Sequence, residues 1–243
     1  MKSIKFIILF LISTLSFSQK SGKIEYSLFV KLREDIEEVV KNLKGAEDIS
    51  LSEGAEKLSF VLEFKNSDSK FYLIDGIETK DLDAKMALAW SKYQNVTYCN
   101  LTDKIVCYNN KNNTFFDKEE FVIEKKVFDS WELKNEKKEI QGFTCYKAVG
   151  FYIANTNRGE EKKEVVAWYC PELPFSFGPN GYAGLPGLIL ELQNENALFG
   201  VTKISLNEKI EDIDSTKLKG KKITAEEYSK ILRERAGIIM EGR

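Results

Sequence analysis

Not one of the 243 residues is a histidine. Its absence removes Ser/His/Asp and Cys/His nucleophilic arrangements together with every histidine-based metal site. No apolar run beyond the first dozen residues approaches the roughly 20 needed to cross a bilayer as a helix. Charge of one sign is also missing: 36 Lys and Arg stand against 38 Asp and Glu, net −2, and the two signs are interspersed. Nothing resembles the basic stripe of a nucleic-acid binder. The acidic group Glu208, Glu211, Asp212 and Asp214 lacks the D-x-D-x-D-G order of a calcium loop and reads as a solvated face. No C-x-x-C pair is present, so a redox role for cysteine has no motif. Neither a metal nor a cofactor is expected. Carboxylate-only hydrolysis remains open, with Glu191, Glu172 and Asp75 as candidates, although spacing singles out none of them.

Lys2 and Lys5 precede an apolar stretch from Phe6 to Ile12, followed by small Ser16 and Ser18. This pattern predicts a secretory signal peptide over residues 1–18. Its removal takes the net charge from −2 to −4, since two lysines leave with it. Residues 19–243 contain no Pro/Gly/Ser-rich linker and no internal repeat, and are expected to form a single domain. The chain is therefore expected in the periplasm or cell envelope, or outside the cell, with no transmembrane segment after processing.

Alternation dominates the rest. Ile24, Tyr26, Leu28 and Val30 alternate with polar residues, and Leu58, Phe60, Leu62 and Phe64 do the same, as half-buried strands require. Helical spacing predicts two internal helices, one carrying Ile36, Val39, Val40 and Leu43, the other over Asp81–Tyr93 with Leu82, Met86, Ala89, Trp90 and Tyr93 on one face. Thr224 followed three residues later by Glu227 is a capping box, and opens a C-terminal amphipathic helix through Tyr228, Ile231 and Leu232. The fold class expected is mainly β (α+β): an antiparallel sheet, curved or half-barrel, with these three helices.

The densest turn chemistry lies in Gly178-Pro179-Asn180-Gly181-Tyr182-Ala183-Gly184-Leu185-Pro186-Gly187. Pro186 and Gly187 suit the two corners of a type II turn. Leu188, Leu190 and Leu192 would then share one strand face, with Ile189 and Glu191 on the other. Gly178, Pro179 and Gly181 mark a second turn. Two roles are open to this segment. It orients a core strand, or it presents Phe175, Phe177, Tyr182 and Leu185, with Trp168 nearby, to a partner or ligand.

Gly184 to Ile189 spells GLPGLI, and Trp131, Gly142, Cys145, Ala148, Trp168 and Tyr169 precede it. On these residues the chain resembles the GLPGLI family of secreted proteins from Bacteroidetes-type bacteria. That family has no established biochemistry. Its bacterial setting implies a partner in the outer membrane or in envelope transport.

The four cysteines have a spacing that suggests two local bridges. Cys99 and Cys107 lie symmetrically about Asp103, and Cys145 and Cys170 fall opposite one another if the runs from Phe143 and Glu164 form a hairpin. Three functions stay in view. The first is a non-catalytic envelope interaction module. The second is a carrier of an apolar ligand in a pocket lined by Phe151, Trp168 and Ile189. The third is a carboxylate-dependent hydrolase.

Overall fold

The structure is a computed structural model that describes residues 21–30, 49–74, 81–93, 95–110, 119–156 and 159–241, with backbone alone at 155–156 and 236–241. The signal peptide, the segment carrying Ile36 to Leu43, and Asp75 fall outside the described residues.

Among the described residues, twelve strands form one sheet. They are β1 (Ser21–Val30), β2 (Ser59–Lys65), β3 (Asp68–Leu73), β4 (Thr97–Asn100), β5 (Ile105–Asn109), β6 (Phe121–Lys126), β7 (Trp131–Ile140), β8 (Phe143–Thr156), β9 (Gly159–Cys170), β10 (Leu188–Asn194), β11 (Ala197–Leu206) and β12 (Lys221–Thr224). Their order is β12-β6-β5-β4-β3-β2-β1-β11-β10-β9-β8-β7. Two meanders grow outward from a central pair, β1 with β11, in which Leu28 faces Phe199 and Val30 faces Ala197. Every pairing is antiparallel except β12 on β6.

The expected curved or half-barrel sheet is corrected by this order. The sheet is neither curled nor closed into a barrel: β12 and β7 are its two ends and do not pair with each other. The reason is visible in the edges. The last strand adds beside β6 instead of reaching β7, and β7 carries a bulge between Leu133 and Lys137 together with mostly exposed Lys and Glu side chains. Both features stop an edge from accepting another strand.

Among the described residues there are three α-helices: α1 (Leu51–Glu56), α2 (Leu82–Trp90) and α3 (Ala225–Glu241). The short α1 has no strong periodic signal. It begins at Ser50, whose side chain accepts from the Glu53 N–H. Helix α2 falls where spacing placed it but turns differently. Ala84 and Ala87 are buried while Leu82 is exposed, because small side chains face α1 across a close approach. Helix α3 opens on the anticipated capping box: the Glu227 N–H donates to Thr224 Oγ1 at 3.2 Å and the Thr224 N–H to Glu227 Oε2 at 2.8 Å.

The main core covers one sheet face, where Ile24, Tyr26, Leu28, Phe60, Leu62, Phe64 and Phe71 are buried. Phe60 stacks on Phe71 with centroids 5.5 Å apart, and the edges of Tyr93 and Phe199 close on it at 5.2 Å each. Such pairs add about 0.5–1.5 kcal/mol beyond their area burial. The Tyr26 hydroxyl donates to the Ile189 carbonyl at 2.7 Å, which ties β1 to β10 through the core.

The disulfide expectation is also corrected: all four cysteines are free thiols, and all are buried. In the β4–β5 hairpin Tyr98 faces Cys107 and Cys99 faces Val106. The register is one residue away from symmetry about Asp103, and a one-residue slip sends a side chain to the other face. Cys99 and Cys107 therefore point to opposite sides. Cys145 and Cys170 do reach adjacent strands, one step beyond the Tyr146–Tyr169 pair, and their thiols interact without bonding. Opposed strand residues hold their Cβ atoms about 4.5–5.5 Å apart, at or beyond the upper end of the roughly 3.5–4.5 Å over which a bridge forms.

Candidate functional site

The motif segment between β9 and β10 runs across the core face. Phe175 and Phe177 lie 4.5 Å and 5.7 Å from the Phe64 ring by centroid, and Phe177 and Leu185 are 2% and 1% exposed. Three of the candidate binding residues, Phe175, Phe177 and Leu185, are thus core side chains. Leu188, Ile189, Leu190 and Leu192 are all fully buried, since a bulge between Ile189 and Glu191 breaks the simple alternation.

The two turns resolve differently. At the second corner the Gly187 N–H donates to the Leu185 carbonyl at 2.8 Å, closing a three-residue turn centred on Pro186, and the Leu188 N–H goes instead to the Leu173 carbonyl. The type II turn is not formed. Gly187 still has a positive φ of 152°, and a Cβ there would sit 2.2 Å from the Cys170 carbonyl oxygen. At the first turn the Tyr182 N–H donates to the Pro179 carbonyl, with Asn180 at φ 56° and Gly181 at φ 78°. That is a type I′ turn, and its Asn-Gly pair is what such a turn demands. Gly178 leads into it in extended backbone, and Gly184 sits one step beyond the bridge between Phe177 and Ala183.

This turn places Tyr182 at the rim. Its ring meets Phe128 at 5.6 Å and Trp131 at 6.1 Å, and the Trp131 indole N–H donates to the Ala183 carbonyl at 3.0 Å. Beside it the Asn180 side-chain amide donates to the Lys92 carbonyl at 3.1 Å. Lys92, just past α2, forms an ion pair with Glu195 of the β10–β11 turn, and Tyr152 of β8 donates its hydroxyl to the same carboxylate at 2.7 Å. Three separate loops therefore meet here. Each contributes a non-glycine residue of positive φ: Lys92 at 56°, Asn180 at 56° and Glu195 at 40°. Backbone of this kind costs on the order of 1–3 kcal/mol per residue and persists only where its surroundings hold it.

The electrostatics follow the geometry. Burial pushes the Glu195 carboxyl upward, but hydrogen bonds from Lys92 and Tyr152 outweigh it and hold the group below the usual glutamate range. Burial and then the Glu195 charge push the Tyr182 hydroxyl up to about 12. Both groups keep their pH 7 forms, a carboxylate acceptor and a neutral phenol donor.

Trp168 is not part of this cluster. It lies between buried Ala167 and Tyr169, and so on the opposite sheet face. There the Lys138 ammonium sits 4.4 Å above its ring and pairs with Glu191 at 2.7 Å. Phe151 and Trp168 share that outer face while Ile189 is in the core, so the pocket expected for a carrier is not assembled from them. Glu191 is occupied by Lys138, and Glu172 stands exposed. Among the described residues no three His, Cys, Asp or Glu side chains could hold a metal ion, and no helix is long and apolar enough to cross a membrane. Lys92, Tyr152 and Glu195 carried no signal in the sequence, because they lie in three segments that only the sheet brings together.

Residues 154–191 match the model of a family described as a protein of unknown function, Porph_ging. The match takes in the GLPGLI hexapeptide. No curated protein matches the chain. Two crystal forms of PNGF-II are similar in structure, each with a TM-score of 0.50, at 12% and 13% identity over 87% and 89% of this chain. In both cases the chain spans 33% of the PNGF-II chain. Likeness at that identity shows the fold alone.

Proposed function

We propose that the protein is an exported, non-catalytic interaction module of the cell envelope, and that its contact surface is the rim formed by Tyr182, Tyr152, Trp131, Lys92 and Glu195. The observation that carries the reading is the convergence of three positive-φ turns on one hydrogen-bonded cluster. A surface held in this way loses little freedom on binding, and aromatic residues set beside charged ones suit a hot spot. The partner is a component of the outer membrane or of envelope transport, as the GLPGLI resemblance implies, and Lys2, Lys5 and the apolar run after them supply the export signal.

A carrier of apolar ligands is the weaker reading, because aromatic rings of the main core occupy the space between sheet and motif segment. Photo-crosslinking from position 182 in the native host separates the two. An adduct of protein mass that is lost in Tyr152→Ala, with folding retained, is the expected result. An adduct of lipid mass, or none at all, overturns the docking role.

A further inference from the structure

The C-terminal quarter of the chain departs from the rest of the architecture. After β11 the chain runs through residues 207–220 without a strand and reaches the far end of the sheet. Its anchors on the way are the Lys65–Asp212 ion pair at 2.7 Å, the Ser21 hydroxyl donating to the Glu208 carbonyl at 2.9 Å, and Lys65 donating to the Ile210 carbonyl. It then forms β12, four residues in the sheet's one parallel pairing, and α3.

What holds this unit differs from what holds the sheet. Phe121, Ile123 and Tyr228 form an apolar cluster separate from the main core, with Tyr108, Ile223, Ile231 and Leu232 packed around it. The ion pairs across the junction, Lys222–Glu124 at 3.0 Å and Arg235–Glu119 at 3.7 Å, are largely solvated. Pairs of this kind contribute about 0–1 kcal/mol. By contrast β10 carries four fully buried aliphatic side chains into the main core.

We propose that β12 and α3 form a flap that opens as one unit while the other eleven strands stay paired. Opening bares the outer edge of β6 and the Phe121 and Ile123 side chains. It also takes Lys222 out of the wall of an open pocket of about 310 Å³ lined by Tyr98, Cys107, Glu124, Asp214 and Lys222, since Lys222 belongs to the flap. Elements joined to a domain by few buried contacts open sub-globally at a lower free energy than the core. A bared strand edge then offers unpaired N–H and C=O groups.

Amide hydrogen exchange on the full chain tests this. Amides of β12, of α3 up to Arg235 and of the β6 edge are expected to exchange together, at least about tenfold faster than those of Phe60–Phe64 and Leu188–Leu192. Ile223→Asp removes an apolar contact across the junction between the flap and β6, and should accelerate that set alone. The flap is refuted if β12 and the β6 edge are as protected as β2 and β10, or if Ile223→Asp speeds exchange in β2 and β10 by the same factor. Fraying of α3 without β12 refutes it as well.

Discussion

Gly187→Ala is the sharpest test of how the motif works. The new Cβ would lie 2.2 Å from the Cys170 carbonyl oxygen, 2.5 Å from its carbon and 2.9 Å from the Pro171 nitrogen. All three are backbone atoms, so no side chain can rotate away. The φ of 152° adds strain of its own. Strain at such a φ costs on the order of 1–3 kcal/mol, and forcing packed backbone apart costs about 1–3 more. Together that is about 2–6 kcal/mol against a typical domain stability of about 5–15 kcal/mol. For a domain of this size each kcal/mol lowers the melting temperature by about 2–4 °C. The control is Gly142→Ala, where φ is 79° but nothing lies within 4 Å of the added carbon. It bears the backbone penalty without the collision, at a cost of about 1 kcal/mol. Thermal and urea unfolding of the two variants, measured side by side, isolates the close approach to Cys170. If Gly187→Ala melts within about 2 °C of Gly142→Ala, the collision argument fails.

Further consequences are open to direct measurement. Intact mass with and without reductant should be identical, because all four cysteines are thiols; a gain of about 2 Da per bridge on reduction would refute the free-thiol assignment. Burial pushes the Cys99 and Cys145 thiols up to about 12 and that of Cys107 to about 11. Alkylation at pH 8 should therefore label the folded protein far more slowly than the unfolded one, and equal rates would show that the sites are open. Glu195 has its pKa lowered on folding. It contributes stability that is present above the ordinary glutamate value of 4.5 and is lost as pH falls through the lower folded value. Glu195→Gln should thus destabilise at pH 7 and converge with the parent in acid, and a constant difference across pH 3–7 would contradict the ion-pair reading. Tyr26→Phe leaves the Ile189 carbonyl without its phenolic donor and should cost about 1–3 kcal/mol in denaturant unfolding.

Alternation along β1 and β2 was legible residue by residue, since a half-buried strand must set Ile24, Tyr26, Leu28, Phe60, Leu62 and Phe64 to one side. The capping box at Thr224 and Glu227 was legible too, as it depends on atoms three residues apart. Cys99 and Cys107 were misread because a hairpin register moves by one residue with turn geometry, and each step exchanges the faces. Helix α2 was placed correctly but rotated wrongly, because which side packs depends on α1 and not on its own hydrophobic content. The motif's aromatic residues were ambiguous for the same reason: Phe177 and Tyr182 are five residues apart, and only the sheet beneath them decides that one is core and the other rim.

The sequence by itself determined an α+β chain with no histidine chemistry, the alternating faces of β1 and β2, the capping box that opens α3, and a Gly/Pro segment that must turn. These are local properties, set by φ, by side-chain period and by which functional groups exist at all. Tertiary structure alone decided that the sheet stays open, that β1 pairs with β11, that the cysteines stay unbridged, and that Lys92, Tyr152, Asn180 and Glu195 meet. Each of those outcomes joins residues distant in the chain, and their proximity comes from strand order and register, which local preference does not encode.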